Sequence, residues 1–413
     1  MKKIGTAALL AFALFGCSSD APPGAIISQE TTLPQSSLLA SLADVSLIRA
    51  GDSFTLAGYD KGQVRWGRLS PAGDLTNETS FALPQPMLAK PGPVFAVTQK
   101  NSPGDQLIAI SITDSTTDPG GYDLIAVAHT VGDKSAGAPV VLATLSDVTD
   151  PETVQLAAGA ATSGKIGFVA WGIHAENLHI PVNFFLLPAG AAASGNPVRA
   201  LDDVPTTRIP FWDCLRTTEG PTGLGFSVVV PDALPSKSRW RTIEIEESGN
   251  TRDMTYPLDA QVTSCQIVGS LTSTGAYLIA FQAGNAIDIA SYRPLLSDAG
   301  ENGNVTTYKS VLPSAKFGGP LNLPKVVWTG PAGNDFTIGV ERPSGPQVFR
   351  FTYDAAPHGA TLTLRSANGR AGPVAAWVGP DAVYATYTDQ VSQSGTTTTW
   401  RYFVKIESPE NLP

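Results

Sequence analysis

Residues 325–364 read KVVWTGPAGNDFTIGVERPSGPQVFRFTYDAAPHGATLTL. Four short apolar runs are punctuated by the turn sequences PAG, PSGP and APHG. From Asp335 to Glu341 the chain alternates strictly, with Phe336, Ile338 and Val340 on one face. From Val348 to Tyr353 it does so again, with Phe349, Phe351 and Tyr353 together. Side chains of a strand point to opposite faces in turn, so a period of two bounded by Gly/Pro turns predicts strands joined tightly and antiparallel. The 40 glycines and 33 prolines of the chain work against helices and supply the many turns this reading needs.

The same pattern can be laid along most of the 413 residues. Units begin near Val45, Val94, Val154, Ile209, Val262, Lys325 and Val374. Their first strands share a look (KPGPVFAV, NLPKVVW, AGPVAAW), and so do their last (FALP, SVLP). Only Ser36–Leu47 offers a helical alternative, and it reads equally well as a first strand. A four-stranded unit of roughly 40–50 residues cannot cover both of its own faces, so neighbours must stack. In these features the chain resembles β-propellers in general. The expected fold is therefore all-β: a seven-bladed β-propeller of four-stranded antiparallel blades. Six or eight blades, or tandem β-sandwiches, are the alternatives. The resemblance extends to no named subfamily. The single Trp212-Asp213 pair lies in a first strand and does not recur, and no double glycine recurs in phase.

The seventh unit supplies only three strands, ending in Thr397–Ile406. The tail SPENLP that follows, with Pro409 and Pro413, is unsuited to a fourth. The N-terminal stretch Ala25–Leu33 has one strand left over, and its end, ETTLP, is similar to the unit ends SFALP and KSVLP. It is expected to pair with Thr397–Ile406 as the outer strand of the last blade, covering an edge that would otherwise be unpaired.

The N-terminus carries an address. Met1-Lys2-Lys3 is a short basic region, and Ile4–Phe15 an apolar run too short to span a bilayer. Leu14-Phe15-Gly16-Cys17 resembles the bacterial lipobox, with Phe15 where a small residue is commoner. The resemblance implies residues 1–16 as a lipoprotein signal peptide. It further implies residues 17–24 as a tether lipidated at Cys17 and residues 25–413 as the folded domain. With at least two acyl chains the anchor would be stable, and Ser18 after the cysteine implies the outer membrane. No second apolar run of spanning length follows.

Of the three cysteines, Cys17 is taken by lipid. Cys214 and Cys265 remain, about one repeat apart, and an oxidising compartment favours a disulfide between them. The net charge of −9 comes with scattered Lys and Arg, which excludes a nucleic-acid surface as the expected partner.

No coherent catalytic set stands out. Gly159–Lys165 fits the first seven positions of a phosphate-binding loop, but Ile166 stands where Ser or Thr belongs and a strand follows, so it reads as a turn. Asp298–Asn304 is similar to a calcium loop but has Gly300 at position three and Lys309 at position twelve. Glu244 and Glu246 alternate with Ile243 and Ile245 and read as the solvent face of a strand. His174, Glu176 and His179 bring two of the four histidines together with a carboxylate, a donor set suited to Zn²⁺. They are candidate metal ligands at a spacing other than that of metalloprotease helices. Trp212, Asp213, Trp328 and Trp377 fall in first strands, the ones nearest a central channel. They are candidates for binding a glycan or peptide there, or equally for packing between blades.

The sequence thus predicts a lipid-anchored binding or scaffold module without cofactor, with an unknown protein or glycan ligand. The alternative is an envelope hydrolase or lyase acting on glycan or peptide at the channel mouth. Mass spectrometry of the mature N-terminus is expected to find Cys17 carrying the diacylglyceryl group and an N-acyl chain. An unmodified Cys17, or cleavage elsewhere, would refute the lipobox.

Overall fold

A strand that reads LIAISI has no polar face to offer water. In the computed structural model this run belongs to a strand whose alternate side chains enter two different cores. The structure describes residues 26–84, 92–99, 105–133, 135–145, 154–160, 166–171, 179–187, 199–205, 216–220, 223–231, 237–246, 251–258, 261–269, 277–293, 304–313, 325–332, 335–341, 346–352, 354–364, 372–378, 382–393 and 395–407. Among them are 28 strands arranged as seven four-stranded antiparallel sheets.

The first sheet runs β2 (Val45–Ala50), β3 (Ser53–Asp60), β4 (Gln63–Leu69), β5 (Leu75–Ala82). The second runs β6 (Val94–Gln99), β7 (Asp105–Asp114), β8 (Tyr122–Thr130), β9 (Val140–Leu145). The third is β10 (Gln155–Ala160) through β11 (Ile166–Trp171) and β12 (His179–Leu187) to β13 (Arg199–Pro205). The fourth is β14 (Arg216–Gly220), β15 (Gly223–Pro231), β16 (Ser238–Glu246), β17 (Thr251–Leu258). The fifth follows with β18 (Val262–Gly269), β19 (Tyr277–Ala283), β20 (Ala286–Arg293), β21 (Asn304–Pro313). The sixth is β22 (Lys325–Ala332), β23 (Asp335–Glu341), β24 (Gln347–Phe351) and the two-residue β25 (Leu362–Thr363). The last sheet breaks the order: β1 (Ile26–Thr32), β28 (Thr396–Glu407), β27 (Ala382–Gln393), β26 (Ala375–Val378). The N-terminal strand occupies its outer edge. Ile26 pairs with Glu407 and Thr32 with Tyr402, as the left-over strand in the sequence requires.

The cores lie between consecutive sheets. In β7, Leu107 and Ala109 join Trp66 and Phe81 of the first sheet. Ile108, Ile110 and Ile112 join Leu156, Ile166 and Phe168 of the third. Similar clusters bridge the fifth and sixth sheets and the sixth and seventh. Phe403 of the last sheet shares a cluster with Leu47, Phe54 and Leu56 of the first. Each large apolar side chain withdrawn in this way contributes about 1.5–3 kcal/mol. The first strands of neighbouring sheets also touch in sequence order, and β26 touches β2.

Residues 33–44 connect β1 to β2 and are neither the helix nor the strand that Ser36–Leu47 suggests. They are successive turns, with β2 starting only at Val45. Buried Arg401 of β28 explains why. Its Nε donates to the Leu39 carbonyl at 3.1 Å, one Nη to the Thr386 hydroxyl at 3.4 Å, and the other to the Leu42 carbonyl. Burial lowers its pKa to about 10, with Asp44 opposing the shift. Side-chain donors thus satisfy carbonyls that a helix would otherwise satisfy itself. Gly58 lets the connection pass, and Gly73 lets β1 pass. A Cβ on Gly58 would sit 2.6 Å from Leu42 Cδ1, and one on Gly73, at φ +87°, would sit 2.7 Å from Thr31 Cβ. Thr31 Oγ1 also donates to the Ala72 carbonyl at 3.0 Å, and Glu78 accepts from Ser37 Oγ and the Leu38 N–H, both at 2.8 Å.

The first strand expected at Ile209–Leu215 lies outside the described residues, where the fourth sheet is described from β14 at Arg216 onward. The remaining six units begin within a few residues of their first strands. Because β1 and the 33–44 connection join the last sheet to the first, a form starting at Gln35 is expected to melt well below one that retains the segment. Equal melting temperatures in a thermal scan would show that the strand contributes nothing.

Candidate functional site

Strand order fixes which connections share an end of the molecule. In each antiparallel sheet the second-to-third connection and the exit of the fourth strand lie at one end. The first-to-second and third-to-fourth connections lie at the other. In the third sheet His179 pairs with Pro205, so the start of β12 and the end of β13 lie together. The sequence candidates His174 and Glu176 fall between β11 and β12, and Trp212, Asp213 and Cys214 between β13 and β14. All five lie outside the described residues. Cys265 sits in β18 with Phe281 as its cross-strand partner. Trp328 sits in β22 opposite Gly339, beside a bulge. Cys17 lies outside the described residues as well. Among the described residues there is no group of three or more His, Cys, Asp and Glu side chains able to hold a metal.

Trp377 is the one candidate whose surroundings are described. It sits in β26 at the other end of the molecule, and its ring meets Phe54 of the first sheet edge-on at 5.7 Å and Tyr384 at 6.1 Å. The Arg49 guanidinium of β2 lies over both rings, 5.0 Å from Trp377 and 5.1 Å from Phe54. Arg49 Nε donates to the Gly51 carbonyl, which holds the fork in place. Tyr384 in turn stacks near Phe403 and lies under Lys405, which is paired with Glu407. Trp377 therefore packs the last sheet against the first and is only partly buried. A cation over aromatic faces adds about 0.5–2 kcal/mol to such a seam.

Gly159 and Ala160 pair with Gly167 and Ile166, so the phosphate-loop look-alike joins two antiparallel strands, as read from the sequence. The calcium-loop look-alike ends at Asn304, the first residue of β21, with the rest outside the described residues. Nearby, Asp288 supports a bulge between Ile287 and Ile289. Its carboxylate accepts the N–H of Ser310, itself at φ 53°, at 2.6 Å, while burial pushes its pKa above the usual carboxylate range.

The sequence reading overlooked Arg401 and Arg49, and also His129, which is buried at 1% exposure in β8. A polar residue inside an otherwise apolar run, as in YDLIAVAHT, was the available signal.

No protein-family model matches the chain, and no curated protein matches it. Solved structures do. The polysaccharide lyase Uly1 superposes with a TM-score of 0.51 at 10% identity, over 92% of this chain and 99% of that one. A prolyl endopeptidase gives 0.48 at 14% identity, over 92% of this chain and 47% of its own length, so this chain spans about half of that enzyme. The β-propeller domain of the Trilobed protease from Pyrococcus furiosus, described as having an open velcro topology, gives 0.42 at 8% identity, over 86% and 97%. At such identities the likeness concerns the fold. The chain is an all-β protein of four-stranded antiparallel sheets with propeller-like neighbours.

Trp377→Ala is expected to lower stability by about 2–4 kcal/mol in urea denaturation, through loss of the seam it fills. A change near zero would mean that the ring is held for a ligand instead.

Proposed function

We propose that this chain is a seven-bladed β-propeller of the cell envelope, anchored by lipid at Cys17. We propose further that it acts as a lyase or hydrolase on a polysaccharide at one of its faces. The observation that carries the reading is the likeness to a polysaccharide lyase over 99% of that enzyme's length. No catalytic residue is carried across at 10% identity. The seven-blade count is supported by the seven sheets and by the contact of the last with the first.

Binding of a glycan or peptide without turnover is the second reading. It is favoured by the partly buried Trp377 and the Arg49 guanidinium on the first strands of adjacent sheets, since aromatic faces with a cation suit sugar rings and their carboxylates. A disulfide between Cys214 and Cys265 and attachment to the outer membrane belong to the same proposal. A tether of about eight residues, at about 3.4 Å each, would hold the start of β1 within roughly 27 Å of the membrane.

Incubation with a panel of neutral and uronate-containing polysaccharides is expected to yield cleavage products. A lyase leaves an unsaturated uronate, read by its ultraviolet absorbance, and a hydrolase leaves new reducing ends. Binding by calorimetry without either product would establish the second reading. Neither binding nor turnover across the panel would sink both.

A further inference from the structure

His129 lies in the seam between the first and second sheets, where nothing in the proposed activity uses it. Its Nδ1 accepts the indole N–H of Trp66 in β4 at 3.2 Å. Its ring stacks on Phe81 of β5, with centroids 4.9 Å apart and planes within 3°. Trp66 is fully buried, and His129 Nε2 is buried with no partner at good hydrogen-bond geometry among the described residues. Accepting at Nδ1 requires that atom to be unprotonated, so the neutral imidazole carries its proton on Nε2.

We propose that His129 is an acid-sensitive latch joining the first two sheets. Protonation of Nδ1 abolishes the acceptor that holds the Trp66 N–H. Two donors then face each other in a buried seam, and a positive charge enters a cluster built from Val64, Phe81, Leu107 and Val127. Three strands pack around the ring: β4 presents Trp66, β5 presents Phe81, and β7 has Leu107 opposite in register. Burial disfavours the protonated ring and outweighs Asp133, in the turn after β8, whose carboxylate charge and backbone carbonyl both favour it.

The folded-state pKa is therefore lowered. The stabilisation is fully present above the unfolded value of about 6.5 and is lost as pH falls towards the folded value. Loosening would begin at this seam, because the latch ties one sheet to the next rather than strand to strand.

The test compares melting temperatures of the full chain and of His129→Gln between about pH 7.5 and about pH 5. Glutamine still offers Trp66 an acceptor but does not titrate. The latch predicts that the variant falls less steeply with acid than the native protein. Parallel curves for His129→Gln and the native protein would overturn the proposal. If the variant fails to fold, hydrogen exchange on the native protein decides. Acid should selectively deprotect β4 and β8 once the intrinsic pH dependence of exchange is corrected for. Uniform deprotection of all sheets would overturn the latch.

Discussion

Inner strands such as β7 and β8 are apolar on both faces, and that constraint dictates the arrangement around them. A sheet with two apolar faces cannot end at water on either side, so each must be sandwiched between two others. β7 shows the arrangement residue by residue, sending Leu107 and Ala109 one way and Ile108 and Ile110 the other. A row of such sheets would leave two faces exposed at its ends. Contact of the last sheet with the first, through Phe403, Phe54 and the Arg49–Trp377 pair, covers both at once.

The N-terminal strand secures that junction. β1 supplies the fourth strand of the last sheet, so the two ends of the chain are held by one ladder of backbone hydrogen bonds. The connection that follows is anchored by side chains of the two sheets it links: Arg401 from one, Glu78 from the other. A buried guanidinium is costly to desolvate, and here carbonyl acceptors from turns offset that cost. The same turns would be unstable without it. Arg49, Arg401 and Lys405 gather around the junction.

Much of this was legible in the residues. Alternation in DFTIGVE located β23 to the residue, and the missing fourth strand after Ile406 pointed to Ile26–Thr32. Local pattern failed where long-range partners decide. Residues 36–43 have a helical spacing of leucines, yet Arg401, more than 350 positions away, takes the carbonyls a helix would need. Pattern also passed over β14, because RTTEG is polar throughout.

The sequence by itself determined that the chain is made of short antiparallel strands in repeated fours and that its first strand belongs with its last. Both follow from period-two alternation and turn chemistry, which are local, and from a count of strands that leaves one over. Only the tertiary structure decided what the aromatic and charged residues are for. Trp377 became a wedge between sheets, and His129 the acceptor for a tryptophan in the neighbouring sheet. Which side chains meet across a seam depends on how two sheets are placed against each other, and no spacing along one strand encodes that.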